Sequence, residues 1–187
     1  LAIAGLVLLI VRAVQKAPVE FLGSYVTGVS IFGASMIILY LMSTLYHALT
    51  PYGAKKVFAI FDHCSIYILI AGTYTPFCLA FLRGALGWTI FGIIWVLAVL
   101  GIVFYAIFGS RMRVLSVITY VLMGWLIIFA FKPMKNALSQ TSLAFLLSGG
   151  VAYMVGVIFY AMKKIKWTHC IWHLFVLMGT VLHFFSV

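Results

Sequence analysis

Several histidines of this chain are spaced in a way that would allow them to bind a metal ion. His169 and His173 are four positions apart, which places both side chains on one face of a helix. Two imidazoles at this spacing can bind a single metal ion, and His47 supplies a candidate third ligand. Zinc held by three protein ligands keeps a fourth position for water, which is the pattern of catalytic rather than structural zinc sites.

Two further side chains could act beside such an ion. Asp62 is one of only two acidic residues in the chain, and a carboxylate near the metal could hold the attacking water or serve as general base. Ser43 precedes His47 by one helical turn, where its hydroxyl could donate to a developing oxyanion. The spacing therefore predicts metal ligands at the three histidines and catalytic roles for Asp62 and Ser43.

Simpler interpretations of the same residues stay open on spacing alone. Histidine pairs one turn apart also arise by chance, and a serine such as Ser43 commonly serves helix packing. Asp62 could sit at the start of a helix, where the helix dipole favours a carboxylate. His183 lies ten residues beyond His173, about 15 Å along a helix, and cannot share its ion. We expect His183 to form a hydrogen bond to a neighbouring helix, with contact to a ligand or a proton path as the alternative.

The elements that carry these residues are predicted to be membrane helices. Hydrophobic residues make up 66% of the 187 residues and charged residues only 7%, against roughly 25% charged in a soluble domain. So few charges cannot cover a surface that faces water. In lipid, every backbone polar group must be satisfied internally, which only helices and closed barrels achieve. The apolar runs are continuous and close to 20 residues, which favours helices over alternating barrel strands.

We predict an all-α membrane protein with seven transmembrane helices in a single domain that covers residues 1–187. The chain starts inside an apolar run at Leu1, so we expect the first helix to lack its N-terminal part. Oligomeric state is left open. The predicted runs are 1–14, 21–47, 57–82, 86–108, 114–131, 141–162 and 167–187.

The charges predict partners and orientation. The chain has twelve Lys and Arg residues but only two acidic residues. The basic residues occur in small groups between apolar runs, which excludes a nucleic-acid partner and favours membrane lipids. The loops after the even-numbered runs contain the larger basic share, so the N-terminus is predicted to be cytoplasmic, with His47, Asp62 and His169 near the cytoplasmic face. The two sets of loop residues are Lys55, Lys56, Arg111, Arg113, Lys163, Lys164 and Lys166 against Arg12, Lys16, Arg83, Lys132 and Lys135.

Four segments, taken together and in order, resemble the haemolysin III family, the bacterial branch of the progestin and adiponectin membrane receptor superfamily. They are STLYH at 43–47, FDHCSIY at 61–67, AGTYTPF at 71–77 and HCIWHLF at 169–175. The resemblance implies seven helices, a cytoplasmic N-terminus and a place in the bacterial cell membrane. It also implies zinc on His47, His169 and His173, with Asp62 and Ser43 beside it.

Three classes of function follow from the resemblance. The first is a zinc-dependent hydrolase that cleaves a lipid amide or ester in membrane lipid homeostasis, with the lipid entering laterally between helices. The second is a pore-forming cytolysin, for which the apolar runs offer few polar residues to line a path. The third is a receptor or regulator in which zinc is structural. The sequence does not separate the third from a slow enzyme.

Overall fold

The computed structural model describes residues 1–162 and 165–187, and this part of the chain is helical with no strand. The prediction of an all-α protein is therefore confirmed. Lys163 and Lys164, which the charge analysis assigned to a cytoplasmic loop, lie outside the described residues. The α-helices of the described part are α1 (Ala2–Lys16), α2 (Leu22–Ala48), α3 (Tyr52–Pro76), α4 (Gly84–Phe108), α5 (Arg113–Trp125), α6 (Phe131–Ala137), α7 (Gln140–Ala161) and α8 (Thr168–Ser186).

Five segments of the described chain are long and apolar enough to cross a membrane, which shows a multi-pass membrane protein. The predicted count of seven is not confirmed by this criterion, for two physical reasons. Helix α1 has only 15 residues here. The third segment, Gly84–Ala137, runs for 54 residues, which as one helix would extend roughly 80 Å, far beyond a bilayer core of about 30 Å. A break at Gly109, with φ of 57° and a short 3₁₀ turn, separates α4 from α5 inside it.

Residues 1–128 form one compact unit in which close backbone contacts depend on glycine. A Cβ added at Gly28 of α2 would lie 2.7 Å from the Cα of Pro76 in α3, so only glycine permits this approach. Gly72 of α3 is packed in the same way against Ser35 of α2. Small residues at helix contacts are the usual means by which membrane helices approach closely. These contacts hold α2 and α3, which carry three of the predicted site residues, against each other.

Pro76 ends α3, and the chain continues as a π-helix over Phe77–Leu82. Proline has no N–H, so the carbonyl of Gly72, four residues earlier, loses its usual partner. The nearby hydroxyls of Thr73 and Thr75 do not compensate for it. They donate instead to the carbonyls of Leu69 and Ala71, at 2.7 and 2.8 Å. The α-helix gives way to π geometry directly after Pro76.

Tyr74 compensates for a second break, at the end of α5. Its hydroxyl lies 2.9 Å from the carbonyl oxygen of Met123 and 2.8 Å from that of Gly124, and it accepts the N–H of Ile127 at 2.9 Å. The backbone changes there from α5 to a 3₁₀ segment over Leu126–Ala130. One buried phenol thus bonds to three backbone groups at the point where the helix type changes.

Residues 129–187 form a second compact unit that contains α6, α7 and α8. Gly156 of α7 packs against the side chains of Trp172 and Phe175 of α8, which gives a close helix contact there. Three side-chain hydrogen bonds also join α7 to α8. Tyr153 and Thr180 bond through their hydroxyls at 2.9 Å, the Ser186 hydroxyl donates to the Ser142 carbonyl at 2.8 Å, and the His183 ring bonds to the Leu146 carbonyl at 3.1 Å. The predicted single domain stays a prediction.

Two glycines of α4 give a matched test of this packing. A Cβ at Gly101 would overlap the ring of Tyr67, a side chain that is only 2% exposed, whereas a Cβ at Gly92 meets nothing within 4 Å. We expect Gly101→Ala to lower the thermal unfolding temperature, because overpacking costs about 1–3 kcal/mol and outweighs the gain in helix propensity of about 1 kcal/mol. Gly92→Ala should leave it unchanged or raise it. Equal stability of the two variants in detergent would contradict the packing described here.

Candidate metal centre

The start of α8 fixes the position of two of the predicted ligands. Trp167 caps the helix in a left-handed conformation, with φ of 72°, so the chain turns sharply before Thr168. The Thr168 hydroxyl lies 3.0 Å from the carbonyl oxygen of Met162 and 2.9 Å from that of Ile165. These bonds tie the helix start to the preceding turn. His169 and His173 therefore project from the first two turns of a helix whose beginning is well defined.

His169 and His173 face each other as their spacing predicts. Their Nε2 atoms are 3.1 Å apart, and the ring planes are nearly perpendicular at 89°. Tetrahedral zinc with bonds of about 2.0–2.1 Å would place its ligand nitrogens roughly 3.3 Å apart. The two nitrogens are thus already close to the separation that a shared metal ion requires.

His47 occupies the last turn of α2, where that helix gives way to extended backbone at Leu49. The ring of Tyr46 lies edge-on to the His47 ring at 4.7 Å, and the Lys55 ammonium lies 5.8 Å from the centre of the Tyr46 ring. His47 itself is exposed. An exposed imidazole at a helix end can turn toward a ligand without disrupting the helix.

The three histidines form a group that could hold a metal ion. Each of His47, His169 and His173 offers one ring nitrogen, and these atoms all lie within 4.8 Å of one another. Imidazole nitrogen suits zinc, copper, iron and nickel, so the donor set fits a transition metal rather than calcium or magnesium. The assignment of the three histidines as metal ligands stays a prediction, as does the identity of the ion.

Asp62 lies deeper in its helix than the sequence indicated. Helix α3 begins at Tyr52 rather than at 57, so ten residues precede Asp62 and the helix dipole, which acts within the first turn, does not explain it. Asp62 is 7% exposed, and its Oδ2 lies 3.9 Å from the Nδ1 of His63. A buried carboxylate in an apolar span is energetically costly, and its presence therefore indicates a function. The helix-start interpretation of Asp62 was therefore wrong.

Ser43 lies on α2, half-buried and four residues before His47, so both residues share one face of that helix. The catalytic roles of Ser43 and Asp62 stay predictions.

The sequence did not single out the aromatic residues that pack around the helix turn of Asp62. The ring of His63 stacks on that of Tyr105 at 4.9 Å, and its Nδ1 bonds to the Ala59 carbonyl at 2.9 Å, so His63 is a packed residue rather than only an interfacial one. The Tyr120 hydroxyl donates to the His63 carbonyl at 2.7 Å and its ring contacts that of Tyr67. Tyrosines within apolar runs gave no sequence signal beyond their type. Their hydroxyls become informative only when the helices are assembled.

Comparison with known proteins identifies the family. The family model described as Haemolysin-III related matches residues 1–184. The chain belongs to the haemolysin III family. It is 46% identical to Hemolysin-3 of Bacillus cereus over 187 residues, which cover the whole chain and 84% of that protein. It is 47% identical to the Hemolysin-3 homolog of Bacillus subtilis (strain 168), again over the whole chain and 86% of the relative.

A more distant human relative extends the comparison. The chain is 27% identical to the human Monocyte to macrophage differentiation factor over 165 residues, which cover 84% of this chain and 67% of that protein. The resemblance found in the sequence motifs is confirmed, both for haemolysin III and for the wider receptor superfamily. No solved structure matches the chain.

The histidine group predicts a measurable metal content. We expect about one transition-metal ion per chain in protein purified without chelator, and its loss in His173→Ala, because the remaining two nitrogens cannot complete the set. His63→Ala is the matched control, since His63 lies outside the group and should keep the metal. Elemental analysis by mass spectrometry measures both. A wild-type protein without metal, or a His173→Ala variant that retains it, would exclude this site.

Proposed function

We propose that this haemolysin III family member is a zinc-dependent hydrolase that cleaves an amide or ester bond of a membrane lipid. The observation that carries the proposal is the group of three histidine nitrogens within 4.8 Å of one another. Three imidazoles leave a fourth coordination position open, as in catalytic zinc sites. A zinc ion there would polarise a carbonyl and lower the pKa of a coordinated water to about 7.

Asp62 is the proposed general base. It is the single acid within the described membrane segments that is buried, since Glu20, the other acid of the chain, is exposed. Insertion of a carboxylate into a membrane helix costs about 2.5–3.5 kcal/mol, a penalty that function explains better than stability does. Asp62 would take the proton of the attacking water and later return it to the leaving group.

Ser43 is the proposed oxyanion donor. Because it lies one turn before His47 on the same face of α2, its hydroxyl would be directed to the region of the ion. A hydroxyl held there would donate to the oxygen that gains charge as the carbonyl is attacked. Ser43 would thus stabilise the transition state without changing how the metal is held.

The substrate class follows from the surroundings of the site. The surface of the chain is dominated by exposed apolar side chains on its membrane segments, among them Leu41 on α2, Phe61 on α3 and Leu174 on α8. These residues lie close in sequence to predicted site residues. A lipid could therefore reach the metal sideways from the bilayer, and a reaction on such lipids would serve membrane lipid homeostasis in the cell membrane.

Cytolysis is the second candidate, and one observation favours it. The two bacterial relatives, which match the whole chain, are named Hemolysin-3 and Hemolysin-3 homolog. A lipid hydrolase and a pore would both damage a membrane, but only a pore conducts ions without chemical change in the lipid. A receptor with structural zinc is the third class, and it would show neither effect.

Replacement of the proposed base separates these functions. We expect Asp62→Asn to lower the rate of lipid hydrolysis by at least about 10²-fold, the lower range for general-base catalysis, with metal content unchanged. Glu20→Gln is the matched control, because it removes the only other carboxylate, which is exposed, and should keep full activity. Release of fatty acid or amine from ceramides and phospholipids measures the rate. A wild type that cleaves no lipid in this panel, or an active Asp62→Asn variant, would refute the proposal.

We also propose seven membrane crossings with a cytoplasmic N-terminus. The 54-residue segment Gly84–Ala137 would contribute two of them, and α1 would be the first. Odd numbers of crossings place the two chain ends on opposite sides. We expect green fluorescent protein to fluoresce when fused before Leu1 and alkaline phosphatase to be active when fused after Val187. Fluorescence from a fusion at the C-terminus would contradict this topology.

A further inference from the structure

His183 is a histidine buried in the second unit, and one of its two ring nitrogens has a hydrogen-bond partner. It is 7% exposed, and its Nε2 lies 3.1 Å from the carbonyl oxygen of Leu146 on α7. A carbonyl oxygen can only accept, so Nε2 must carry the proton of the neutral ring. Nδ1 is then an acceptor with a free lone pair.

Within the described part of the chain, Nδ1 of His183 is buried and has no hydrogen-bond partner. The hydroxyl protons that α7 and α8 place in the same region already go to other acceptors. Thr180 donates to the Val176 carbonyl, which leaves Tyr153 to donate to Thr180. Ser186 donates to the Ser142 carbonyl. The donor that Nδ1 requires is therefore not supplied by these side chains.

A buried acceptor without a donor loses the hydrogen bond that it would make in water and gains none in return. Protonation of Nδ1 would not remove this cost, since it would place a charge within a membrane segment, which is more expensive still. The ring cannot reorient freely either, because Gly149 allows it to lie directly against the α7 backbone and Tyr153 contacts it edge-on at 5.3 Å. The ring is held in place with its acceptor toward the protein interior.

We infer that Nδ1 of His183 binds an O–H donor small enough to be enclosed by the protein, namely a water molecule. Buried waters typically bridge polar groups that would otherwise lack partners, and they are retained because their removal is costly. The site is distinct from the histidine group, since His183 follows His173 by about 15 Å along α8. The bound water completes the polar contacts that hold α8 against α7 below the metal-binding end of α8. A lipid hydroxyl has the same donor chemistry and is the rival source.

Nuclear magnetic resonance of labelled protein can test this directly, without a variant. His183–Phe184 is the only His–Phe pair in the sequence, so labelling histidine with ¹³C and ¹⁵N, together with ¹⁵N-phenylalanine, assigns the His183 ring without ambiguity. In nanodiscs of perdeuterated lipid, we expect Nε2 to be protonated and Nδ1 to show the nitrogen shift of an acceptor that receives a hydrogen bond. We expect a through-space or exchange peak from this ring to water.

The outcomes are distinct. A ring-to-water peak supports the inference, and it should survive in Ser186→Ala, which removes a neighbouring α7–α8 bond without touching the ring. A further peak from the ring to carbon-bound lipid protons, which can appear only with protonated lipid, identifies a lipid hydroxyl and overturns the assignment to water. A protonated Nδ1, or an Nδ1 shift of a free acceptor with no water contact, overturns the inference altogether. None of these results depends on whether the histidine group holds zinc.

Discussion

A peptide group inside a bilayer has no water to bond with, and the local irregularities of this chain are best understood as responses to that constraint. Where Pro76 removes a backbone donor, the chain changes to π-helical geometry over Phe77–Leu82. Where α5 gives way to a 3₁₀ segment, the hydroxyl of Tyr74 bonds to the exposed backbone groups. At the start of α8, Thr168 bonds to the carbonyls of the preceding turn. At the end of α5 and at the start of α8, a side-chain hydroxyl supplies hydrogen bonds to backbone groups where the regular helix is interrupted.

The same constraint makes the few ionisable side chains informative. Hydroxyls in apolar helices donate to carbonyls of their own helix, as Thr73 and Thr75 do, and so require no partner elsewhere. An ionised carboxylate has no proton to donate, and a neutral imidazole that donates to a carbonyl still has a second nitrogen that needs a donor, so neither group is fully satisfied in this way. Asp62 and His183 are both buried, and each requires a partner beyond its own helical turn. These two buried residues therefore indicate chemistry or hydration, whereas the locally bonded hydroxyls indicate packing.

The parts of this structure that depend on local pattern could be predicted from the sequence. Apolar composition gave the helical class, and the spacing of four between His169 and His173 gave their shared face. The grouping with His47 was harder, because it depends on helices far apart in sequence; it was predicted from the loop assignment and the family motifs. The depth of Asp62 was missed because Lys55 and Lys56 interrupt the apolar pattern before residue 57, which concealed the first five residues of α3. The contact between Tyr74 and α5 could not be predicted, since the sequence around a tyrosine in an apolar run does not indicate which groups its hydroxyl will bond.

The bonds of Tyr74 to three backbone groups also limit how this position can change during evolution. Single-base changes in a tyrosine codon give Phe, Ser, Cys, His, Asn or Asp, and none of these carries a hydroxyl at the end of an aromatic ring. Every one-step replacement therefore leaves the end of α5 without the partner that now satisfies it. Unless the backbone over Leu126–Ala130 changed as well, such a replacement would leave the Ile127 N–H without its hydroxyl acceptor. A substitution at Tyr74 on α3 thus has its cost in the backbone of another helix.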